Sequence, residues 1–211
     1  MNATSSAGAG QSMHALIAEL YPICRSITGD GFRQSLRRLG QEVPITLSEV
    51  PTGTQVFDWT VPKEWNIRDA WIADAAGRRV VDFRESSLHV VNYSVPVRAR
   101  MSLADLRPRL HTLPDQPDLI PYRTTYYKED WGFCLRDRDL RALPEGTYEV
   151  CIDATLAPGH LTYGECVLPG ETSAEILISV HSCHPSLAND NLSGMAVAVH
   201  LARQLSGGPR K

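Results

Sequence analysis

The residue types able to do chemistry are concentrated near the end of the chain. The segment His181-Ser-Cys-His-Pro-Ser-Leu-Ala-Asn-Asp-Asn-Leu-Ser-Gly194 places His181, Cys183, His184 and Asp190 within a few turns of chain. Imidazole, thiolate and carboxylate are all zinc ligands. A carboxylate has two oxygens, so Asp190 is able to bridge a pair of cations that share one activated water. From spacing alone a bland account stands equally well. In it, Asn189 or Asp190 caps a helix, Ser193 and Gly194 form its first turn, and His181 is a core histidine with a satisfied ring. A third chemistry, nucleophilic Cys183 beside His184, lacks both an oxyanion hole and an orienting third residue. His89, His111 and His160 have no partners at ligand spacing and read as surface or internally satisfied histidines.

Two elements must position this segment. Before it, Ala174 to Val180 is a nearly continuous apolar run. That pattern predicts a strand covered on both faces, as in a parallel α/β sheet. After it, Leu192 to Leu205 predicts an alanine-rich helix that is apolar on most sides. The candidate residues therefore fall at the carboxyl end of a strand, the edge where open α/β sheets bind ligands.

The rest of the chain divides by pattern. Residues 1–11 carry no apolar periodicity and predict a disordered tail. Ser12 is placed to cap a helix bearing Leu16, Ile17, Leu20 and Tyr21, ended near Pro22. A second helix follows Asp30, with Phe32, Leu36 and Leu39 on one face. Residues 45–51, 56–61, 70–74, 79–83, 88–93, 147–153 and 161–167 predict strands, and Asp74 to Gly77 a hairpin turn. Ser102 caps a short helix ended by Pro108, and 136–143 reads as another short helix. The reading is of a discontinuous α/β layer: 12–58 and 169–211 belong to it, and 59–168 is an inserted β-rich domain.

Composition sets the class. The 211 residues are 43% hydrophobic and 21% charged, with a formal net charge of −3, an ordinary globular balance. Near-neutral charge gives no electrostatic footprint for nucleic acid or an anionic membrane. No apolar run approaches the ~18 residues of a membrane span. The first residues, MNATSSAGAGQS, have no apolar signal core, so the expected compartment is the cytoplasm. The five cysteines are an odd number, far apart and without a CxxC pair. They read as reduced thiols.

The motif Asn189-Asp-Asn-Leu-Ser-Gly194, following a strand-end histidine and opening an apolar helix, resembles the M28-like zinc aminopeptidase superfamily. Cys183-His-Pro-Ser-Leu-Ala-Asn-Asp-Asn-Leu-Ser-Gly194 is more particular and resembles the bacterial aminopeptidase-like DUF4910 and DUF2172 families. The stretches Glu19 to Gly31, Pro51 to Ile67 and Tyr126 to Cys134 support the same resemblance, which covers about residues 13–206. It implies a zinc-exopeptidase-like (phosphorylase/hydrolase-like) parallel-sheet layer with an inserted β-rich domain. It also implies one or two zinc ions, with Asp190 as the bridging carboxylate.

The histidine ligand stays open. Strand position favours His181, while His184 lies in the more distinctive Cys-His-Pro-Ser piece. Cys183 stands where the superfamily has an aspartate that orients the imidazole, so Cys183, Asn189 and Asn191 are expected around the ligands. The resemblance also implies a paired glutamate, a further acidic ligand and a final histidine after the helix. One of those glutamates is the general base. No residue here takes that role, so the base is expected beyond residue 211 and the chain is read as the N-terminal part of a longer protein. The sheet layer is correspondingly expected to be incomplete, and zinc occupancy of this chain is left open. The implied activity is metal-dependent hydrolysis of an amide bond in a small peptide, aminoacyl or sugar-linked substrate. The alternative is a non-catalytic or repurposed module linked to surface-polysaccharide biosynthesis.

Overall fold

The computed structural model describes the backbone of residues 4–207, and side chains from residue 8 onward. In chain order the elements are α1 (Thr4–Leu20), α2 (Asp30–Leu39), β1 (Thr46–Pro51), β2 (Gln55–Val56), β3 (Trp59–Thr60), β4 (Glu64–Ala73) and β5 (Arg79–Asp82). Then follow β6 (Val97–Ser102), α3 (Leu103–Leu106), β7 (Leu110–His111), β8 (Phe133–Cys134), α4 (Asp137–Ala142), β9 (Thr147–Ala157), β10 (His160–Glu165) and α5 (Ser193–Ser206). The fold is mixed α/β with small, mostly antiparallel sheets. It separates into two compact units, 1–54 with 160–211, and 55–159. The cuts lie four and nine residues before the bounds 59 and 168 read from the sequence.

The first unit is built on three helices and a two-stranded ribbon. Leu16 and Leu20 of α1 share a buried cluster with Leu39, Val43, Leu192 and Met195, Ala196 and Val199 of α5. Apolar residues at helical spacing give each of α1 and α5 a face to bury there. On α2, Phe32, Leu36 and Leu39 are buried, with Asp30 in the first turn and Arg37 and Arg38 in the last. Those charges complement the helix dipole. Arg38 reaches Glu19 of α1 at 2.7 Å and Glu42 at 2.9 Å, and Glu42 also accepts from Arg203 of α5 at 2.9 Å. Strands β1 and β10 pair antiparallel from Thr46↔Glu165 to Pro51↔His160.

The second unit holds an antiparallel sheet in the order β5-β4-β9-β6. Alternation along β9 buries Tyr148, Val150, Ile152 and Ala154 on one side. The β4–β5 hairpin turns at Asp74–Gly77, where Asp74 Oδ1 accepts from the amides of Ala76 and Arg78 and Gly77 adopts φ 80°. From β4, Trp65 donates its indole N–H to the Ser94 carbonyl at 2.8 Å and stacks on Tyr93.

Four expectations are corrected. Helix α1 takes in Thr4 to Gln11 of the stretch read as a tail, with Ser12 inside it rather than at its cap, and residues 1–3 of that stretch lie outside the described residues. Residues 4–11 contain no proline, so a helix anchored by Leu16 and Leu20 propagates back through them. Residues 56–61 are not one strand but the hairpin of β2 and β3, turned at Phe57 with φ 50°. Residues 88–93 are not a regular strand. A 3₁₀ turn at Ser87–His89 is capped by the Ser86 side chain, isolated bridges follow at Val90 and Asn92, and Tyr93 turns out at φ 71°.

The fourth correction concerns the site. Residues 174–180 are not a strand in a parallel layer. They have no ladder partner among the described residues, and Ile176 and Leu177 are 92% and 91% exposed. A parallel sheet needs a neighbouring strand and a covering layer, and here the run has neither. The one parallel strand pairing among the described residues is the short β7–β8 pair. Among the described residues no helix is long and apolar enough to cross a membrane.

Candidate metal centre

The segment 181–191 is fixed at both ends. Val180 packs against the helical core cluster and Leu192 is fully buried in it. In between, the Ser186 hydroxyl donates to the Tyr21 carbonyl at 3.2 Å, fastening the loop to the end of α1. The Ser193 hydroxyl donates back to the Asn189 carbonyl at 2.8 Å. A loop held this way brings side chains close that are far apart in an extended chain.

His181, Cys183 and His184 converge, with one ligand atom from each lying within 4.8 Å of the others. Cys183 Sγ stands 3.1 Å from His181 Nε2 and 3.8 Å from His184 Nδ1. The two imidazoles tilt at 40° with centroids 5.2 Å apart. Asp190 Oδ1 lies 3.6 Å from His184 Nδ1. Its carboxylate is 68% exposed, whereas the His184 side chain is 15% exposed. Asn191 is buried, and its Nδ2 donates to His184 Nδ1 at 2.7 Å and to Asp190 Oδ1 at 3.1 Å. A carboxylate only accepts, so Asp190 sets that amide's orientation. His184 Nδ1 is then an acceptor, with its lone pair engaged by the Asn191 amide. The Asn191 carbonyl oxygen is buried with no hydrogen-bond partner among the described residues. Protein groups therefore do not close the polar complement of this site.

Electrostatics tell which group is activated and which is not. Burial, first of all, pushes the Cys183 thiol up to about 11, Asp190 adds to the rise, and Arg25 opposes it. A nucleophilic cysteine needs the opposite shift, so this environment does not support thiol catalysis. Burial, first of all, lowers His184 below the ordinary imidazole value. His181 and Arg25 push the same way and Asp190 opposes them. A neutral imidazole is the form that ligates a metal.

The structure therefore brings His181, Cys183, His184, Asp190 and Asn191 together. It does not bring in the Asn189 side chain, which is exposed and engages the site only through its backbone carbonyl. One participant went unread in the sequence. Arg25 is fully buried, donates to the Leu20 and Ile23 carbonyls at 2.6 and 3.0 Å, and acts electrostatically on Cys183 and His184. Burial lowers it to about 10, so it remains a cation at neutrality. Its signal was position: it follows Cys24 in a short loop between two helices.

Comparison with known proteins follows this geometry. The family described as "Domain of unknown function (DUF4910)" matches residues 14–211. A Clostridium acetobutylicum protein named "Putative polysaccharide biosynthesis protein with aminopeptidase-like domain" is 50% identical over 202 residues, covering 96% of this chain and 46% of that protein. A crystal structure described as a "putative peptidase" from Clostridium acetobutylicum superposes with a TM-score of 0.95 at 50% identity, covering 97% of this chain and 48% of that one. An aminopeptidase from Aneurinibacillus sp. strain AM-1 aligns loosely, at a TM-score of 0.37 and 14% identity. The chain thus spans about half the length of the Clostridium relatives it matches.

Proposed function

The chain belongs to the DUF4910 family, and from that premise we propose that it carries the first ligands of a zinc-dependent, aminopeptidase-like hydrolase. The reading rests on one observation above all, the convergence of His181, Cys183 and His184 with Asp190 alongside. The donor set fits zinc: neutral-capable imidazoles and a carboxylate, with a buried amide oxygen still lacking a partner. In this proposal His181 or His184 supplies the imidazole ligand and Asp190 the carboxylate, bridging where two ions are held. Zinc bound there would supply Lewis-acid polarisation of an amide carbonyl and a water acidic enough to attack it. The chain's own contributions are to hold the imidazole neutral by burial, to orient the His184 ring through Asn191, and to keep the loop rigid through Ser186 and Leu192. The implied substrate class is a small peptide, aminoacyl or sugar-linked amide.

The printed description of the Clostridium relative favours a second reading, a repurposed domain serving polysaccharide biosynthesis. Elemental analysis of monodisperse protein refolded with zinc tests the first reading. At least one ion per chain is expected, lost in Asp190→Ala and in whichever of His181→Ala or His184→Ala removes the true ligand. A folded wild-type chain that retains no zinc overturns the metal reading. Zinc retained without turnover of any aminoacyl amide by a full-length relative favours the second.

A further inference from the structure

We infer that Cys183 is itself a metal ligand, so that His181, Cys183 and His184 form a three-residue thiolate–imidazole site with Asp190 at its open side. The inference rests on the zinc reading above and changes what that reading assigned to Cys183.

The geometry carries it. Bonds of about 2.0–2.3 Å at tetrahedral angles place neighbouring donor atoms roughly 3.3–3.6 Å apart. The Cys183 sulfur lies 3.1 Å from His181 Nε2 and 3.8 Å from His184 Nδ1, and Asp190 Oδ1 lies 3.6 Å from the same nitrogen. These separations bracket the edges of such a tetrahedron, and the sulfur is common to two of them. An orienting residue would hydrogen-bond the ring nitrogen turned away from the metal. For His184 the Asn191 amide holds Nδ1 at 2.7 Å, so a metal bound at that nitrogen would displace this amide, while Cys183 lies 3.1 Å from His181 Nε2. The exposed Asp190 is then free to hold a second ion or the fourth position.

Charge is also provided for. On binding, the Cys183 S–H bond breaks, the sulfur keeps the electron pair and forms the metal–sulfur bond, and the proton leaves to solvent. The buried Arg25 cation acts favourably on the resulting anion.

Cobalt(II) titration of the metal-free 211-residue chain tests this, because a thiolate bound to cobalt gives a near-ultraviolet charge-transfer band that nitrogen and oxygen ligands do not. The expected result is saturation of that band at one cobalt per site in the wild type, its loss in Cys183→Ser, and its retention in Cys151→Ser. Cys183→Asp, with a carboxylate in place of the thiolate, is expected to keep the visible cobalt bands and lose the charge-transfer band. This separates ligation from folding, and far-ultraviolet circular dichroism checks each variant. Cobalt bound by the wild type without a charge-transfer band overturns thiolate ligation and leaves the zinc reading standing. A band that persists in Cys183→Ser also overturns it, assigning the sulfur to another cysteine. A folded wild type that binds no cobalt overturns both readings.

Discussion

At the scale of single residues, Gly31 shows how tightly the loop carrying Cys24 and Arg25 is drawn. A Cβ built there would lie 1.9 Å from the Cys24 carbonyl oxygen and 3.0 Å from its carbon. Both are backbone atoms and cannot rotate aside. Gly31→Ala should therefore displace the loop carrying Cys24 and Arg25 at a cost of about 1–3 kcal/mol. Thermal unfolding would register this as a midpoint lowered by several degrees; an unchanged midpoint contradicts the close approach. His89 supplies a pH dependence. It is buried, its Nδ1 lies 2.7 Å from the Cys134 carbonyl, and burial above all lowers its pKa from 6.5. Across the interval between the folded and unfolded values the unfolded chain binds more protons, so stability rises with pH there. The contribution is present above the unfolded value and is lost as pH falls through it, levelling below the lowered folded value. His111 and His184 shift in the same direction. His89→Gln should thus flatten, without abolishing, the acid-side loss in urea titrations between neutrality and about pH 5; an unaltered slope counts against it. The sequence analysis singled out His181, Cys183, His184 and Asp190 because four residues of three ligand types crowd one polar loop. It missed Arg25 because a lone arginine in a loop ordinarily reads as solvated. It placed the Asn189 side chain near the ligands because only the structure shows which way that turn faces.

At the scale of elements, local signals were legible where they are self-contained. Pro22 ends α1 just beyond Leu20, Asp74 to Gly77 turns the β4–β5 hairpin, and Ser102 accepts from the Asp105 amide at 3.2 Å to cap α3. Ser102→Ala removes that acceptor and should cost about 1 kcal/mol in chemical denaturation. The elements that misled were those whose state depends on distant partners. The run 174–180 is apolar enough for a buried strand, but pairing is a property of two chains of backbone, and one apolar sequence does not supply it. Left exposed, Ile176 and Leu177 form a contiguous apolar surface of the kind that binds hydrophobic dyes or other proteins. Ile176→Lys with Leu177→Lys should sharply reduce anilinonaphthalene sulfonate fluorescence while leaving the thermal midpoint within a degree or two, because exposed side chains contribute little to the core. A large fall in the midpoint would mean that the run is covered in solution.

At the scale of the whole molecule, the topology makes a sharper demand than the composition did. The α/β character and an interruption by β-rich sequence were legible as a change from helical to alternating periodicity. The parallel layer was not, since parallel order is set by which strands meet rather than by any one of them. What the sequence could not convey is where the interruption opens and closes. Pro51 and His160 are register partners at the end of β1 and β10, so their Cα atoms are about 4.5–5.5 Å apart. The 55–159 unit therefore leaves and re-enters the first unit at the open end of one hairpin. Thr52, Gly53 and Thr54 remain to span that end, and Gly53 already has φ 89°. Joining Thr54 directly to His160 gives a three-residue hairpin loop with a glycine where left-handed backbone is wanted. Such a chain keeps every residue of the helical cluster and every candidate ligand. It should fold with a cooperative unfolding transition and bind cobalt with the same stoichiometry as the intact protein. The excised 55–159 segment, which retains its own sheet and the buried Trp65, Phe133 and Tyr148, should unfold cooperatively by itself and bind none. If the joined chain fails to fold while the excised one succeeds, the first unit depends on the second for stability, and the division between them is one of geometry alone.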